Sequence, residues 1–220
     1  MRNAVILPNG LVLTTDNSAG IGEKLDDVVS IDDDVVSYFA GRVTLMEQWA
    51  AGAHPVSIIV HNFSGSKSWN KYVAGIEKLF VDLGQSCPVI TGSTESNMEM
   101  LQSAMAVTMI GEKKEKSDQD FTWYVYGMPC VGGEVLEESE KIADTKKIWD
   151  ALNCGLVQRV WPVGSTGIAE ECKRIGLRGE LENWDVEKSA GPATSVLLGI
   201  ANNRIEEAKL HFGKYFEIIS

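Results

Sequence analysis

Nine consecutive residues, Glu112 to Asp120 (EKKEKSDQD), contain no apolar side chain. Such a run cannot enter a hydrophobic core, so the chain on either side must bury its apolar residues separately. It divides 220 residues into two lengths, 1–112 and 119–220, each sufficient for a small domain. Strand and helix signals intermix in both halves, which predicts an α+β fold.

The chain is acidic, with a formal net charge of −11. That disfavours a broad electrostatic grip on nucleic acid or on an anionic membrane, both of which need clustered Lys and Arg. No apolar run approaches membrane-spanning length. The opening MRNAVILPNG reads as a strand and turn, not as a signal peptide. The four cysteines (Cys87, Cys130, Cys154, Cys172) form no CxxC pair, and His54, His61 and His211 are not spaced to complete a zinc site. Scattered thiols of this kind predict reduced cysteines in a cytoplasmic protein.

In the first half, Val5–Leu7, Pro8-Asn9-Gly10 and Leu11–Thr15 read as a β-hairpin. Leu11–Leu13 is its apolar part, and Thr14, Thr15 and Asp16 follow at the strand end, with a small polar loop running to Lys24. Hydroxyls and a carboxylate delivered into such a loop suit a metal–phosphate group, and they equally suit a plain turn. Asp26 to Asp34 is acidic, either a cation site or a solvated cluster in which Asp34 caps the next helix. Val36 to Ala51 has Phe39, Val43, Met46 and Ala50 at helical spacing. Glu47 sits near the C-terminal end of that helix, where a carboxylate is mildly unfavourable without a cation; it is either paired with one or a surface glutamate. Val56–Val60 is a buried strand, Ser66–Leu83 an amphipathic helix with Trp69, Val73, Ile76, Phe80 and Leu83 on its apolar face. Pro88–Thr91 is a strand opening into Gly92-Ser93-Thr94-Glu95, and Ala104–Ile110 is the last strand before the charged run.

In the second half, Phe121–Tyr126, Gln158–Val163, Ser195–Ile200 and Tyr215–Ile219 read as strands. Glu134–Ala143, Thr145–Leu152, Ile168–Ile175 and Arg204–Leu210 read as helices. Gly164, Ser165 and Thr166 precede the Ile168 helix, so free N–H groups there offer an anion site, or simply an ordinary capped helix.

There is no Walker A sequence, no GxSxG, no HExxH and no GxGxxG opening a helix. The ordered set that remains is a TTD strand, a glycine and lysine in the next loop, a small-residue helix ending in GAHP, and a strand ending in GST. This set resembles the aminoimidazole ribonucleotide (AIR) synthase superfamily. That group includes thiamine-monophosphate kinase, selenophosphate synthetase and the hydrogenase maturation protein HypE. The resemblance covers most of residues 3–111; from Phe121 onward, VYGMP and PVGSTGIAEE look like a shortened form of the family's second domain. Among these proteins, a short cytoplasmic chain is most similar to the α-ribazole kinases of cobalamin salvage.

The resemblance implies a set of roles. Asp16 matches the aspartate that binds the metal of Mg–ATP, and Glu47 stands where the family has a metal-binding aspartate, with Met46 replacing its polar neighbour. Lys24 and Gly22 match the lysine and glycine near phosphate. Thr14, Thr15, Asn17, Gly92 and Thr94 would line the nucleotide, with Ser93 where the family's acid usually lies. Gly164, Ser165 and Thr166 would face the acceptor substrate. Asn3 lies near the remnant of the family's N-terminal glycine- and aspartate-rich loop.

The implied activity is phosphoryl transfer from ATP, with Mg²⁺, to a small nucleoside-like acceptor, α-ribazole first among them. Asp16, Glu47 and Lys24 would be its catalytic residues. Other AIR synthase-like ATP chemistry (thiamine-phosphate kinase or ring-closing synthase type) and a non-catalytic nucleotide-binding relative remain open alternatives. The family also implies a homodimer formed through the sheets of an ATP-binding N-terminal domain.

Overall fold

The computed structural model describes residues 3–114, 119–182 and 184–219. The chain forms two compact units, Met1–Lys114 and Glu115–Ser220. Of the charged run Glu112–Asp120, residues 115–118 lie outside the described residues, and Glu112 and Lys113 belong to the last strand of the first unit.

The first unit contains β1 (Ala4–Ile6), β2 (Leu11–Ala19), β3 (Ile21–Gly22), β4 (Val29–Ser30), α1 (Asp33–Ala50), β5 (Ala53–Asn62), α2 (Ser66–Asp82), β6 (Val89–Thr94) and β7 (Ala104–Lys113). Five strands form one sheet in the order β1-β2-β7-β5-β6. Within that sheet β5 and β6 pair in parallel, with α2 as the crossover between them, and the other pairs are antiparallel.

β2 corrects the sequence reading. Thr14-Thr15-Asp16 is the middle of a nine-residue strand, not its end. The polar residues stay extended because β7 pairs with all nine, from Leu11↔Glu112 to Ala19↔Ala104. Alternation then turns Val12, Thr14, Asp16 and Ser18 to one face and Leu13, Thr15, Asn17 and Ala19 to the other. Likewise Gly92, Ser93 and Thr94 belong to β6 and not to the loop after it.

The helices α1 and α2 cover the Val12–Thr14–Asp16 face. They pack closely because Gly75 has no side chain: a Cβ there would lie 1.9 Å from the Asp34 carbonyl oxygen. α1 begins three residues earlier than its apolar spacing suggests, and its N-cap position is Asp32 with no side-chain cap; Asp34 lies within the first turn. Its buried surface is unusually polar, including Ser37, Arg42, Thr44, Glu47 and Gln48. The Gln48 amide explains part of this. Its two Nε2 protons are shared among the Val12 carbonyl (3.1 Å), the Thr14 hydroxyl (3.0 Å) and the Met109 carbonyl (2.9 Å), tying α1 to two strands.

No helix of the first unit covers the opposite face among the described residues. Register places Val5, Leu13, Ile110, Ser57 and Val89 in one row across it, and Thr15, Thr108, Ile59 and Thr91 in the next. Val5 and Val89 are 60% and 70% exposed, so this face presents apolar side chains to solvent in the single chain.

The second unit contains β8 (Phe121–Tyr126), α3 (Glu134–Glu137), α4 (Thr145–Asn153), β9 (Val157–Pro162), α5 (Gly167–Arg174), β10 (Val196–Ala201), α6 (Ile205–Phe212) and β11 (Phe216–Ile218). Its sheet is antiparallel, in the order β11-β8-β10-β9. The helix expected over Glu134–Ala143 stops at Glu137. The core gathers Val125, Val163, Ile168, Cys172 and Leu197, flanked by Trp123, Trp161 and Trp184. Among the described residues, no helix of either unit is long and apolar enough to cross a membrane.

Candidate functional site

β2 and β5 each run antiparallel to β7, and β6 runs parallel to β5. All three therefore end at the same edge of the sheet, at Ala19, Asn62 and Thr94. Three residues separate the end of β5 from the start of α2, so the N-terminus of α2 lies there too. The start of α1 joins them, because Asp33 packs on Gly22: a Cβ on Gly22 would lie 2.8 Å from Asp33 Oδ1 and 2.5 Å from Ser103 Oγ. Strand C-terminal ends beside helix N-termini are where α/β folds bind ligands, because unsatisfied N–H groups there favour anions.

Ser66, Trp69, Gly92 and Thr94 line an open cavity of about 350 Å³ at this edge. The cavity exists because β6 carries a glycine opposite α2; a Cβ on Gly92 would lie 1.9 Å from the Val60 carbonyl oxygen and 3.0 Å from the Trp69 ring. Buried Asn62 organises the rim. Its Nδ2 donates to the Gly65 carbonyl (2.8 Å) and to Thr94 Oγ1 (3.2 Å), and its Oδ1 accepts from the Ser64 amide (2.8 Å). Gly65, at φ 100°, is the N-cap of α2, and no side chain caps that helix. Of these residues only Gly92 and Thr94 were expected from the sequence. Trp69 reads there as one more apolar position on a helix, and Ser66 carries no signal beyond a helix start.

The segment between β2 and α1 folds over the same edge. Asp27 holds it by accepting from the Ser103 amide and hydroxyl (both 2.7 Å) and from the Lys24 amide (2.9 Å). Burial pushes the Asp27 carboxyl up, but these hydrogen bonds outweigh it and leave the group below the usual range. Glu23 pairs with Lys71 of α2, which holds its carboxyl low, and also accepts from the Asp33 amide (3.1 Å). Asp33 itself is 2% exposed, and its Oδ1 has no hydrogen-bond partner. Burial raises its pKa, with the Glu23 charge adding to the effect against a hydrogen bond from Ser68. The Lys24 ammonium donates to the Met100 carbonyl.

The remaining expected residues separate. Thr14 is 1% exposed; its hydroxyl donates to the Thr44 carbonyl (3.0 Å) and accepts from Gln48. That hydroxyl is spent inside the fold, which gives Thr14 a structural place in this conformation. Thr15 and Asn17 turn to the uncovered face, where the Thr15 hydroxyl donates to the Val107 carbonyl (3.0 Å). Asp16 faces the helices, half-buried, in a row that reads Asp16–Val107–Val60–Gly92. Three strand spacings, about 14 Å, therefore separate Asp16 from Gly92. Ser93 lies in the row of His61, Ala106 and Asn17 on the opposite face.

Glu47 is 1% exposed, so the option of a surface glutamate is excluded; its Oε1 accepts from Asn3 Nδ2 (3.4 Å). Among the described residues no three His, Cys, Asp or Glu side chains form a metal-binding group. Glu47 lies fourteen residues along α1 from Asp33, about 21 Å of helix from the edge where α1 begins. Burial pushes the Cys87 and Cys172 thiols up to about 11, away from thiolate character.

In the second unit, Gly164 is buried, whereas Ser165 and Thr166 are exposed. The start of α5 is partly closed, because the Ala169 amide donates to the Val186 carbonyl (3.0 Å) and the Gly164 carbonyl accepts from Ala190 (3.1 Å). The anion site expected at this helix start therefore has fewer free N–H groups than the sequence suggests.

No protein-family model matches the chain, and no curated protein matches it significantly. Solved structures do. The hydrogenase maturation protein HypE in complex with ATP superposes with a TM-score of 0.63 at 13% identity, covering 98% of this chain and 77% of that one. Thiamine monophosphate kinase from Aquifex aeolicus gives 0.60 at 12% identity, covering 98% and 85%. AaThiL complexed with AMPPCP and TMP gives 0.56 at 11% identity, covering 98% and 82%. The chain has the fold of these AIR synthase-like (PurM-like) proteins.

Proposed function

We propose that this chain is an ATP-dependent phosphotransferase acting on a hydroxyl of a small nucleoside-like acceptor. The observation that carries the reading is the edge of the first unit. Three strand ends and two helix N-termini meet there, on a fold whose solved examples include HypE with ATP and AaThiL with AMPPCP and TMP. Phosphoryl transfer asks mainly for positioning and charge neutralisation, not for a covalent protein group. That suits the N-terminal ends of two helices, which favour an anion.

Asp16 would hold the magnesium of the nucleotide. When bound, the metal neutralises charge on the transferred phosphoryl group. Lys24 releases the Met100 carbonyl and pairs with phosphate oxygens. Gly92 and Thr94 take another part of the nucleotide. Asp16 and Gly92 stand about three strand spacings apart in one row, a span that one nucleotide would have to cross. The acceptor is α-ribazole, in cytoplasmic cobalamin salvage. Two copies pair through the uncovered face of the five-stranded sheet, which buries Val5, Leu13 and Ile110.

A second reading, a nucleotide-binding relative without catalysis, is favoured by one observation. Lys24 is engaged by a carbonyl, and the family's acid is Ser93 on the far face. Thermal shift with Mg–ATP, followed by γ-phosphate transfer to α-ribazole and to thiamine monophosphate, separates the readings. Transfer to α-ribazole supports the first proposal. Transfer to thiamine monophosphate alone reassigns the acceptor. A thermal shift without transfer to either supports the non-catalytic relative.

A further inference from the structure

We infer that the cavity between α2 and β6 is a stacking subsite for a planar heteroaromatic ring, with Trp69 as its platform and Thr94 as its edge reader. This rests on the nucleotide reading above and adds residues that no sequence motif assigns. The cavity lining carries no charged side chain: Ser66 and Thr94 supply hydroxyls, Gly92 supplies bare backbone, and Trp69 supplies a half-exposed indole. An uncharged lining of this kind suits a neutral ring with polar edges better than a phosphate. A volume of about 350 Å³ admits a bicyclic ring. Indole–base stacking is tolerant of ring identity, because every such ring has a π-face.

Thr94 gives the site a direction. Its hydroxyl oxygen accepts from Asn62 Nδ2 at 3.2 Å. Asn62 is 1% exposed and fixed by two further bonds, so this orientation is built in. The Thr94 hydroxyl proton is then left to donate outward, to a ring nitrogen carrying a lone pair. Ser66, exposed at the first turn of α2, faces the other side of the opening and both donates and accepts. Gly92 is required because any Cβ would strike the Val60 carbonyl and close the gap to the Trp69 ring. The ring belongs either to the base of the nucleotide or to the heteroaromatic group of the acceptor; both have a flat face and an acceptor nitrogen.

The test follows the indole N–H of Trp69 in proton–nitrogen correlation spectra, identified by its loss in Trp69→Phe. Adenosine, α-ribazole and inorganic tripolyphosphate are titrated separately. A shift of the Trp69 signal with adenosine assigns the ring to the nucleotide; a shift with α-ribazole alone assigns it to the acceptor. Trp69→Ala is expected to weaken the active nucleoside about 5- to 150-fold, the usual loss for a stacked base, and to leave tripolyphosphate binding unchanged. Thr94→Val, which keeps the shape of a folded protein, is expected to weaken the same nucleoside about 5-fold or more. No Trp69 shift with either nucleoside overturns the subsite. Equal losses for nucleoside and tripolyphosphate in Trp69→Ala overturn it too, since they mark a structural residue. Mg–ATP binding without a Trp69 shift leaves the kinase reading standing and removes the subsite. A Trp69 shift with adenosine in a protein that binds no Mg–ATP does the reverse.

Discussion

Replacing Thr14 by valine separates a structural role from a nucleotide-binding one. The side chains are close in shape and equally β-branched, so strand conformation is kept. What is lost is one bond donated to the Thr44 carbonyl and one accepted from Gln48 Nε2, both 3.0 Å and buried. Neither partner is stranded. The Gln48 amide keeps the Val12 and Met109 carbonyls, and the Thr44 carbonyl remains within α1. The cost is therefore the net value of two hydrogen bonds, about 1–2 kcal/mol. With a urea slope of about 2 kcal/mol/M for a unit of this size, the unfolding midpoint falls by about 0.5–1 M. Circular dichroism of Thr14→Val against wild type measures it. Affinity for Mg–AMPPCP in the folded variant should be unchanged, because the hydroxyl faces α1. An unchanged midpoint with weakened nucleotide binding would refute the placement of Thr14 inside the fold.

Two further outcomes follow from burial of charge. Burial, with the Lys114 charge adding to it, depresses the His54 pKa from 6.5 to about 4. The fold therefore prefers the neutral ring: its contribution is intact above pH 6.5 and is lost as pH falls toward 4, about 3 kcal/mol at most. In His54→Gln the acid limb of the stability–pH curve should be shallower between those values; an identical limb would contradict the assignment. Asp33 has the opposite sign, since burial raises its pKa and makes its charged form a cost that grows with pH. Asp33→Asn should raise the melting temperature at pH 7 and lose that advantage near pH 4; equal melting temperatures at both pH values would show that the buried charge is compensated.

Apolar runs made much of this fold readable. Phe121–Tyr126 is a strand with the bounds its sequence suggests, and α2 starts at Ser66 as expected. Where polar residues are buried, the pattern misled. Thr14 to Ala19 reads as a strand end and loop because no apolar residue marks it, yet pairing with β7 keeps it extended. α1 hides Thr44, Glu47 and Gln48 while leaving Phe39 and Val43 half-exposed, so apolar spacing found the helix and misjudged its inner face. At the candidate site, Gly92 and Thr94 carry a local motif. Trp69 and Ser66 meet them only through the β5–α2–β6 crossover, which no spacing in the sequence encodes. The split of Thr15, Asn17 and Ser93 from Asp16, Gly92 and Thr94 is a matter of strand parity, legible only once β2 and β6 are known to extend so far.

The measurement that bears most directly on the proposed nucleotide site is calorimetric titration of Mg–AMPPCP into wild-type protein and Asp16→Asn. Asparagine keeps the shape of Asp16 and removes the charge a hard cation requires. The account predicts saturable binding by wild type and a loss of at least about tenfold in the variant, about 1.4 kcal/mol, with an unchanged fold by circular dichroism. Absence of binding by wild type, or equal affinity in Asp16→Asn, would contradict it.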